Sequence, residues 1–186
     1  MIYALVDKET LIQKGVSLEA HLQHLSSFPN IPILQYRNKS GSLDEKKEDL
    51  LRIRDYYDGI LIVNDAIELI AYADGLHIGQ EDIHAYSDDL EEAVMIIRKK
   101  IGRKFLGLST HNKAEILEAN SLDLDYIGLG AYRATKTKSE ANVGGELLLD
   151  AASLSKHPVG MIGGVRMDDD FEAPVVYKVI GSGLYK

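Results

Sequence analysis

Residues 73–82 read ADGLHIGQED, a short apolar run that reaches Gly79 and then turns polar from Gln80 to Asp82. A short run of this kind, bounded by glycine and polar residues, is typical of a buried β-strand. The acid that follows the run therefore lies at the carboxyl end of the predicted strand. Because the same order of apolar run, polar loop and helical pattern recurs on both sides of this stretch, the fold follows from the repetition.

Eight apolar runs alternate with helical patterns along the chain. The predicted strands cover residues 2–6, 31–36, 59–63, 74–78, 104–109, 125–130, 158–163 and 176–182. Apolar residues have helical spacing at Leu18, Leu22 and Leu25, at Leu43, Leu50 and Tyr57, and at Leu90, Ala93, Val94 and Ile97. Capping-box spacing marks helix starts at Ser42 with Glu45 and at Asn112 with Glu115. Eight alternations favour a closed parallel (β/α)8 TIM barrel of the α/β class, with a doubly wound sheet as the alternative.

The C-terminal end of the predicted barrel is abbreviated. Residues 164–176 leave room for little more than one helical turn, which the acidic residues 168–170 would begin. The chain stops four residues after Ser182. We therefore expect a short seventh helix and no eighth helix.

Composition predicts one domain, residues 1–186, in the cytoplasm. The chain has 186 residues, 45% of them hydrophobic, which suffices for one substantial core. It has no long apolar stretch or signal-peptide pattern, so we expect no membrane association or export. The absence of cysteine agrees with a reducing compartment and excludes disulfides and thiolate chemistry. A formal charge of -8 argues against a nucleic-acid surface.

Polar residues that follow strands are candidates for an active site, because a parallel barrel builds its site from loops at the carboxyl ends of its strands. Gln35, Arg37 and Lys39 occupy alternate positions at the end of the second run, hence one side of an extended backbone. A guanidinium fork and an ammonium group suit a phosphate. The alternative is that they are ordinary solvated residues.

Two acids at strand ends predict a Mg²⁺ site. Asn64 and Asp65 end the third run, and Asp82 follows the fourth. Few oxygen ligands from separate loops hold Mg²⁺ while leaving positions for water and substrate phosphate. Asp65 and Asp82 could instead cap the helices that follow. His77 is interpreted as a core or loop histidine, since imidazole is a poor Mg²⁺ ligand.

Further hydroxyl, ammonium and glycine groups predict oxyanion contacts. Ser109 lies at a predicted helix start, where N–H groups favour anions, and a hydrolytic pair with His111 is disfavoured because the two side chains point apart. Glycine after strands seven and eight admits phosphate close to the backbone, although sharp turns would also explain it. The remaining candidates are Thr135, Thr137, Lys138, Gly164 and Ser182.

The order of these motifs resembles the thiamin phosphate synthase family over nearly the whole chain. The motifs are QYRNK at 35–39, VND at 63–65, ADGLHIGQED at 73–82, LSTH at 108–111, DYIGLG at 125–130, TKTK at 135–138 and IGG at 162–164. The resemblance implies a (β/α)8 enzyme that joins 4-amino-2-methyl-5-(diphosphooxymethyl)pyrimidine to a thiazole phosphate. Pyrophosphate departs, and the thiazole nitrogen captures a pyrimidinylmethyl cation.

The resemblance also implies residue roles. Arg37, Lys138 and Ser109 would be the catalytic residues, with Arg37, Lys138 and Mg²⁺ stabilising the leaving group. Asp65 and Asp82 would hold Mg²⁺. The pyrimidine diphosphate would contact Gln35, Arg37, Lys39, Asn64, Ser109 and Lys138, and the thiazole phosphate would contact Thr135, Thr137, Gly164 and Ser182.

The sequence departs from the family pattern in the loop after the sixth run and at the C-terminal end. Ala131 and Ala134 stand where prolines are usual, which predicts a looser loop, and Gly181 replaces a larger apolar residue. Because the last helix is missing, we expect a second subunit, in a homo-oligomer, or a rearranged segment to cover strands eight and one. A thiazole tautomerase and a barrel that binds thiamin precursors without turnover are the alternative functions.

Overall fold

The computed structural model describes residues 1–28, 30–134 and 143–185, which form a closed barrel of eight parallel strands in chain order. The strands are β1 (Ile2–Asp7), β2 (Ile33–Arg37), β3 (Ile60–Asn64), β4 (Gly75–Ile78), β5 (Phe105–Thr110), β6 (Tyr126–Leu129), β7 (Val159–Met161) and β8 (Val175–Ile180). Pairing of β1 with β8 closes the barrel. The predicted TIM barrel is confirmed, with every strand end within two residues of its predicted position.

Helices cover the outside of the strands. They are α1 (Lys8–Lys14), α2 (Leu18–Leu25), α3 (Leu43–Arg54), α4 (Gln80–Ile83), α5 (Leu90–Ile101), α6 (Lys113–Ala119) and α7 (Leu147–Ala152), with short 3-10 helices at Ile67–Tyr72 and Ser182–Leu184. In the part of the chain described, no helix is both long and apolar enough to cross a bilayer.

The predicted helix signals are largely confirmed. Ser42 and Glu45 form a complete capping box at the start of α3. Asn112 caps α6 by accepting from the N–H of Glu115, and the Glu115 carboxylate accepts from the N–H of His111 and from the side-chain amide of Asn112 rather than from the backbone N–H of Asn112. The apolar spacing marks buried faces in α2 and α5, whereas Leu43 at the first turn of α3 is exposed.

The strands separate two apolar layers, because successive side chains of a strand point to opposite faces. One layer lies between strands and helices, and the other fills the barrel interior around Tyr3, Ile33, Ile62 and Tyr126. Strand glycine makes room for this interior. A Cβ on Gly107 would lie 2.1 Å from the Tyr126 ring, so a side chain there would displace that ring.

The connection between β7 and β8 departs from the prediction. All of its residues are described, and they form turns without the predicted helical turn, so the acidic stretch 168–170 does not begin a helix. Asp169 is instead held by Arg133 in a bidentate ion pair, with N–O distances of 2.6 and 2.8 Å. Lys178 of β8 donates to the carbonyls of Met167 and Asp169. These contacts fasten the connection to the barrel without a helix.

Segments of the same chain cover part of the seam between β8 and β1. Ala4 and Ile180, which are paired across the seam, are each 1% exposed. The last 3-10 helix leads to Tyr185, whose ring stacks on His21 at 4.1 Å and whose hydroxyl accepts from the N–H of Asp7. The contacts favour a rearranged segment as the cover, and the homo-oligomer stays a prediction.

His21 makes the stability of this cover sensitive to acid. The side chain is buried, its Nε2 has no hydrogen-bond partner among the described residues, and burial lowers the pKa of His21 to about 4. Between about pH 6.5 and pH 4, His21 therefore binds a proton in the unfolded chain but not in the folded chain. The contribution of His21 to the unfolding free energy accordingly falls as the pH is lowered through this range. Lowering the pH from 7 to 4.5 should therefore reduce the unfolding free energy of the unsubstituted chain by about 2 kcal/mol more than it reduces that of His21→Phe.

Urea unfolding at both pH values measures this difference. His84→Gln is the matched control, because His84 is exposed and should leave the acid-induced loss as in the unsubstituted chain. Parallel stability curves for His21→Phe and the unsubstituted chain would contradict the role of His21.

Candidate active site

A cavity of about 440 Å³ opens at the carboxyl ends of the strands, where the active site of a TIM barrel lies. The structure brings together in its lining the predicted residues Gln35, Arg37, Lys39, Asn64, Asp65, Asp82, Ser109, Gly164 and Ser182. The other three predicted site residues, Thr135, Thr137 and Lys138, lie outside the described residues. The lining combines cations, carboxylates and backbone groups, which suits a small anionic ligand.

The cationic side of the cavity is built on the end of β2. Gln35, Arg37 and Lys39 all line the cavity, as their alternation predicts. Arg37 pairs with Asp7 at 2.5 Å, and the Asp7 carboxylate also caps α1 by accepting from the N–H of Thr10. Because Asp7 is only 3% exposed, its charge depends on Arg37 for compensation. Arg37 is therefore held by the end of β1 while it faces the cavity.

The acidic side consists of Asp65 and Asp82, which face each other across Gly79. A Cβ on Gly79 would lie 2.8 Å from Oδ2 of Asp82 and 3.9 Å from Oδ1 of Asp65. The backbone of Asp65 has a φ of 59°, and its carboxylate accepts from the N–H of Gly79 at 3.0 Å. Burial raises the pKa of Asp65, and the nearby charge of Asp82 adds to the effect. A cation between the two carboxylates would favour their ionised forms and so offset both the burial and the mutual repulsion.

Neither acid is a helix cap, which was the alternative to a metal site. The 3-10 helix that follows Asp65 begins after Ala66 and has no side-chain cap, and Asp82 lies inside α4. The described residues hold no cluster of three acidic or histidine side chains suited to a metal. Two carboxylates alone would leave the other coordination positions to water and ligand oxygens, an arrangement that fits Mg²⁺.

A buried polar group on the cavity floor joins β4, β5 and β6. His77 donates to or accepts from the Tyr126 hydroxyl through Nδ1 at 3.0 Å and the Ser109 hydroxyl through Nε2 at 3.0 Å. Burial lowers the pKa of His77 to about 4, so its ring is neutral at physiological pH. The interpretation of His77 as a satisfied core histidine is confirmed. His111 bonds instead to Glu115, so it forms no hydrolytic pair with Ser109.

The first part of the loop after β6 forms a wall of the cavity and bonds to the segment after β7. The N–H groups of Tyr132 and Arg133 donate to the carbonyls of Ile162 and Gly163 at 2.9 and 2.8 Å. Arg133 also donates to the carbonyl of Gly164 and pairs with Asp169. Hydrogen bonds and an ion pair thus hold residues 131–134 without the prolines, and the looser loop stays a prediction.

Glycine is required where this loop approaches the segment after β7. Gly163 and Gly164 have φ values of 90° and 60°, which favour glycine. A Cβ on Gly163 would lie 2.6 Å from that of Ala131, and one on Gly164 would lie 2.7 Å from that of Arg133. The turns thus demand both glycines, and the same turns bring backbone to the cavity wall.

Sequence reasoning missed three contributors to the site. Tyr3 and Tyr126 lie on the cavity floor, and His77 joins them to Ser109. Tyr3 lies two residues before Leu5, the partner of Gln35 in the register of β1 and β2, so alternation along β1 was the available signal. Fold and site together define a (β/α)8 barrel with a polar cavity, lined by cations and carboxylates, at the carboxyl ends of its strands.

A family model described as thiamine monophosphate synthase matches residues 2–173. The chain therefore belongs to the thiamine monophosphate synthase family, which confirms the resemblance noted in its motifs. A thiamine-phosphate synthase of Caldicellulosiruptor bescii is 40% identical over 144 residues, which cover 73% of this chain and 62% of that protein. A thiamine-phosphate synthase of Persephonella marina is 35% identical over 171 residues, covering 88% of this chain and 76% of that protein.

Structural comparison agrees on the fold. The thiamine phosphate pyrophosphorylase of Pyrococcus furiosus superposes with a TM-score of 0.73 at 23% identity, covering 97% of this chain and 85% of that one. For several relatives, including the C. bescii protein, the matched stretch covers less than two thirds of the relative's length.

Proposed function

We propose that this chain is a thiamine-phosphate synthase that joins 4-amino-2-methyl-5-(diphosphooxymethyl)pyrimidine to a thiazole phosphate. The supporting observation is that Arg37 and Lys39 face the carboxylates of Asp65 and Asp82 across one cavity in a chain of this family. The charges of Arg37 and Lys39 act on Asp65 itself, where they lower its pKa against the larger effect of burial. Cations and acids so arranged suit a diphosphate bound with a divalent cation.

In the proposed reaction the bond between the pyrimidine methylene carbon and the diphosphate oxygen breaks, and its electron pair leaves with pyrophosphate. The thiazole nitrogen then donates its lone pair to the methylene carbon, which closes the new C–N bond. Arg37 binds the leaving group, and the cavity holds the nucleophile beside the cation and limits access of water. Asp65 and Asp82 would hold Mg²⁺, which supplies charge neutralisation on the leaving oxygens when bound. We also propose that the reaction takes place in the cytoplasm.

The test is to mix the purified chain with both precursors and Mg²⁺ and to measure pyrophosphate and thiamin phosphate. We expect both products in equal amounts, and none when either precursor is omitted. Calorimetric binding of the pyrimidine diphosphate without any product at micromolar enzyme would contradict the synthase. That outcome would favour a barrel that binds thiamin precursors without turnover.

A further inference from the structure

A continuous line of side-chain hydrogen bonds crosses the cavity floor from the acidic side to Ser109. Its members, in order, are Asp65, Asn64, Gln35, Tyr3, Tyr126, His77 and Ser109. The links after the first measure between 2.7 and 3.0 Å. These residues lie on, or directly after, six different strands, and the closed barrel brings their side chains together in its interior.

The direction of the first links follows from Asp65. Its carboxylate accepts, so the Asn64 amide must present Nδ2 to it. The Asn64 carbonyl is then left to accept from Nε2 of Gln35 at 2.7 Å. The Gln35 carbonyl in turn accepts from the Tyr3 hydroxyl at 2.8 Å. Each amide has one donor end and one acceptor end, so no alternative orientation satisfies these links.

The number of protons on each group also determines the direction of the remaining links. A tyrosine hydroxyl has one proton, and Tyr3 gives its proton to Gln35, so Tyr126 must donate to Tyr3. The Tyr126 oxygen then accepts from Nδ1 of His77, which places the single proton of the neutral ring on Nδ1. Nε2 of His77 is consequently an acceptor, and its partner at 3.0 Å, the Ser109 hydroxyl, must donate.

We propose that Tyr3, Tyr126 and His77 are positioning residues that commit the Ser109 proton to His77, so that Ser109 offers only lone pairs to a ligand. A hydrogen-bond donor on a heterocycle, such as an amino group, would be bound beside Ser109, and a phosphate oxygen would be repelled. This assigns Ser109 to recognition of the base and departs from the expectation that it contacts an oxyanion. Where the ligand is the aminopyrimidine, the inference rests on the proposed function.

Nuclear magnetic resonance of the nitrogen-15-labelled imidazole rings tests the direction of the line without any turnover. We expect His77 to carry its proton on Nδ1, with the resonance identified by its loss in His77→Gln. In Tyr126→Phe the Nδ1 proton loses its acceptor, and we expect the population to shift toward the Nε2 tautomer. A proton on Nε2 in the unsubstituted chain would overturn the proposal.

Tyr177→Phe is the matched control. Its ring packs edge-on against Tyr3 and Tyr126 at 6.1 Å in both cases, but it is not a member of the line. Removing its hydroxyl should leave the His77 tautomer unchanged. An equal shift in both variants would mean that ring packing determines the tautomer, which would also overturn the proposal.

Binding of two pyrimidine diphosphates tests the consequence for the ligand. The probes are the 4-amino compound and its 4-oxo analogue, measured by calorimetry with Mg²⁺ and without thiazole phosphate. We expect the amino compound to bind about tenfold or more tightly, because the oxo group faces lone pairs on Ser109. Tyr126→Phe should reduce this preference severalfold, and Tyr177→Phe should preserve it.

The two proposals fail in different ways. Absence of product, together with the Nδ1 tautomer and the amino preference, would contradict the synthase and leave the assigned role of Ser109 supported. Equal binding of the amino and oxo compounds by the unsubstituted chain would overturn that role even if the chain forms thiamin phosphate.

Discussion

Asp65→Asn should lower the rate of pyrophosphate release about 100-fold or more while the chain stays folded. Loss of one carboxylate weakens the binding of a divalent cation, and the charge neutralisation that such a cation supplies is worth several kcal/mol. Each 1.4 kcal/mol added to the barrier lowers the rate by about a factor of ten. Asparagine is the appropriate replacement, because the φ of 59° at Asp65 lies in a region that asparagine adopts more readily than alanine does. Initial rates at saturating precursors and Mg²⁺ measure the effect.

Asp82→Asn should act in the same direction, since the two carboxylates share the space above Gly79. Asp88→Asn is the matched control, because Asp88 is an exposed acid in the segment between α4 and α5 and is not part of the cavity lining. Near-normal rates in Asp65→Asn and Asp82→Asn, with the unfolding free energy unchanged, would refute the proposed metal site.

Arg37→Ala should cost both activity and stability. Removal of the guanidinium takes a cation from the leaving group, and we expect the rate to fall about 100-fold. It also leaves the buried Asp7 carboxylate without its ion-pair partner. The remaining bonds from Thr10 reduce the penalty, so we expect about 2 kcal/mol from urea unfolding rather than the 3–5 kcal/mol of a fully uncompensated charge.

A double-mutant cycle with Asp7→Asn separates the two effects. Asparagine at this position keeps the shape of the cap on α1 but removes the charge. The double variant Asp7→Asn with Arg37→Ala should therefore recover at least half of the lost stability and none of the lost activity. Additive losses of stability would show that the ion pair contributes nothing beyond its separate members.

Much of the fold could be predicted because strands buried on both faces read as near-continuous apolar runs. This held even for β7, a strand of three residues. The connection between β7 and β8 could not be predicted from its own residues. Its acids resemble a helix start, but Asp169 is bound by Arg133, which lies 36 residues earlier in the chain. A local pattern carries no information about such a distant partner.

The positions of the site residues were predictable for a similar reason, since residues at strand ends of a parallel barrel converge on one face. Alternation placed Gln35, Arg37 and Lys39 on the cavity side. Which side chains touch was not predictable. The contact between the Tyr3 and Tyr126 hydroxyls joins residues 123 positions apart and depends on Gly107 leaving space for a ring. The chemical roles of the site residues stay predictions.

The ion pair between Arg133 and Asp169 makes one wall of the cavity responsive to electrolyte. Proline rings would stiffen this loop covalently in any buffer, whereas a partly exposed ion pair weakens as dissolved ions screen it, with side chains here 38% and 13% exposed. We therefore expect the wall around Gly164 to be held more firmly in dilute buffer than in concentrated salt.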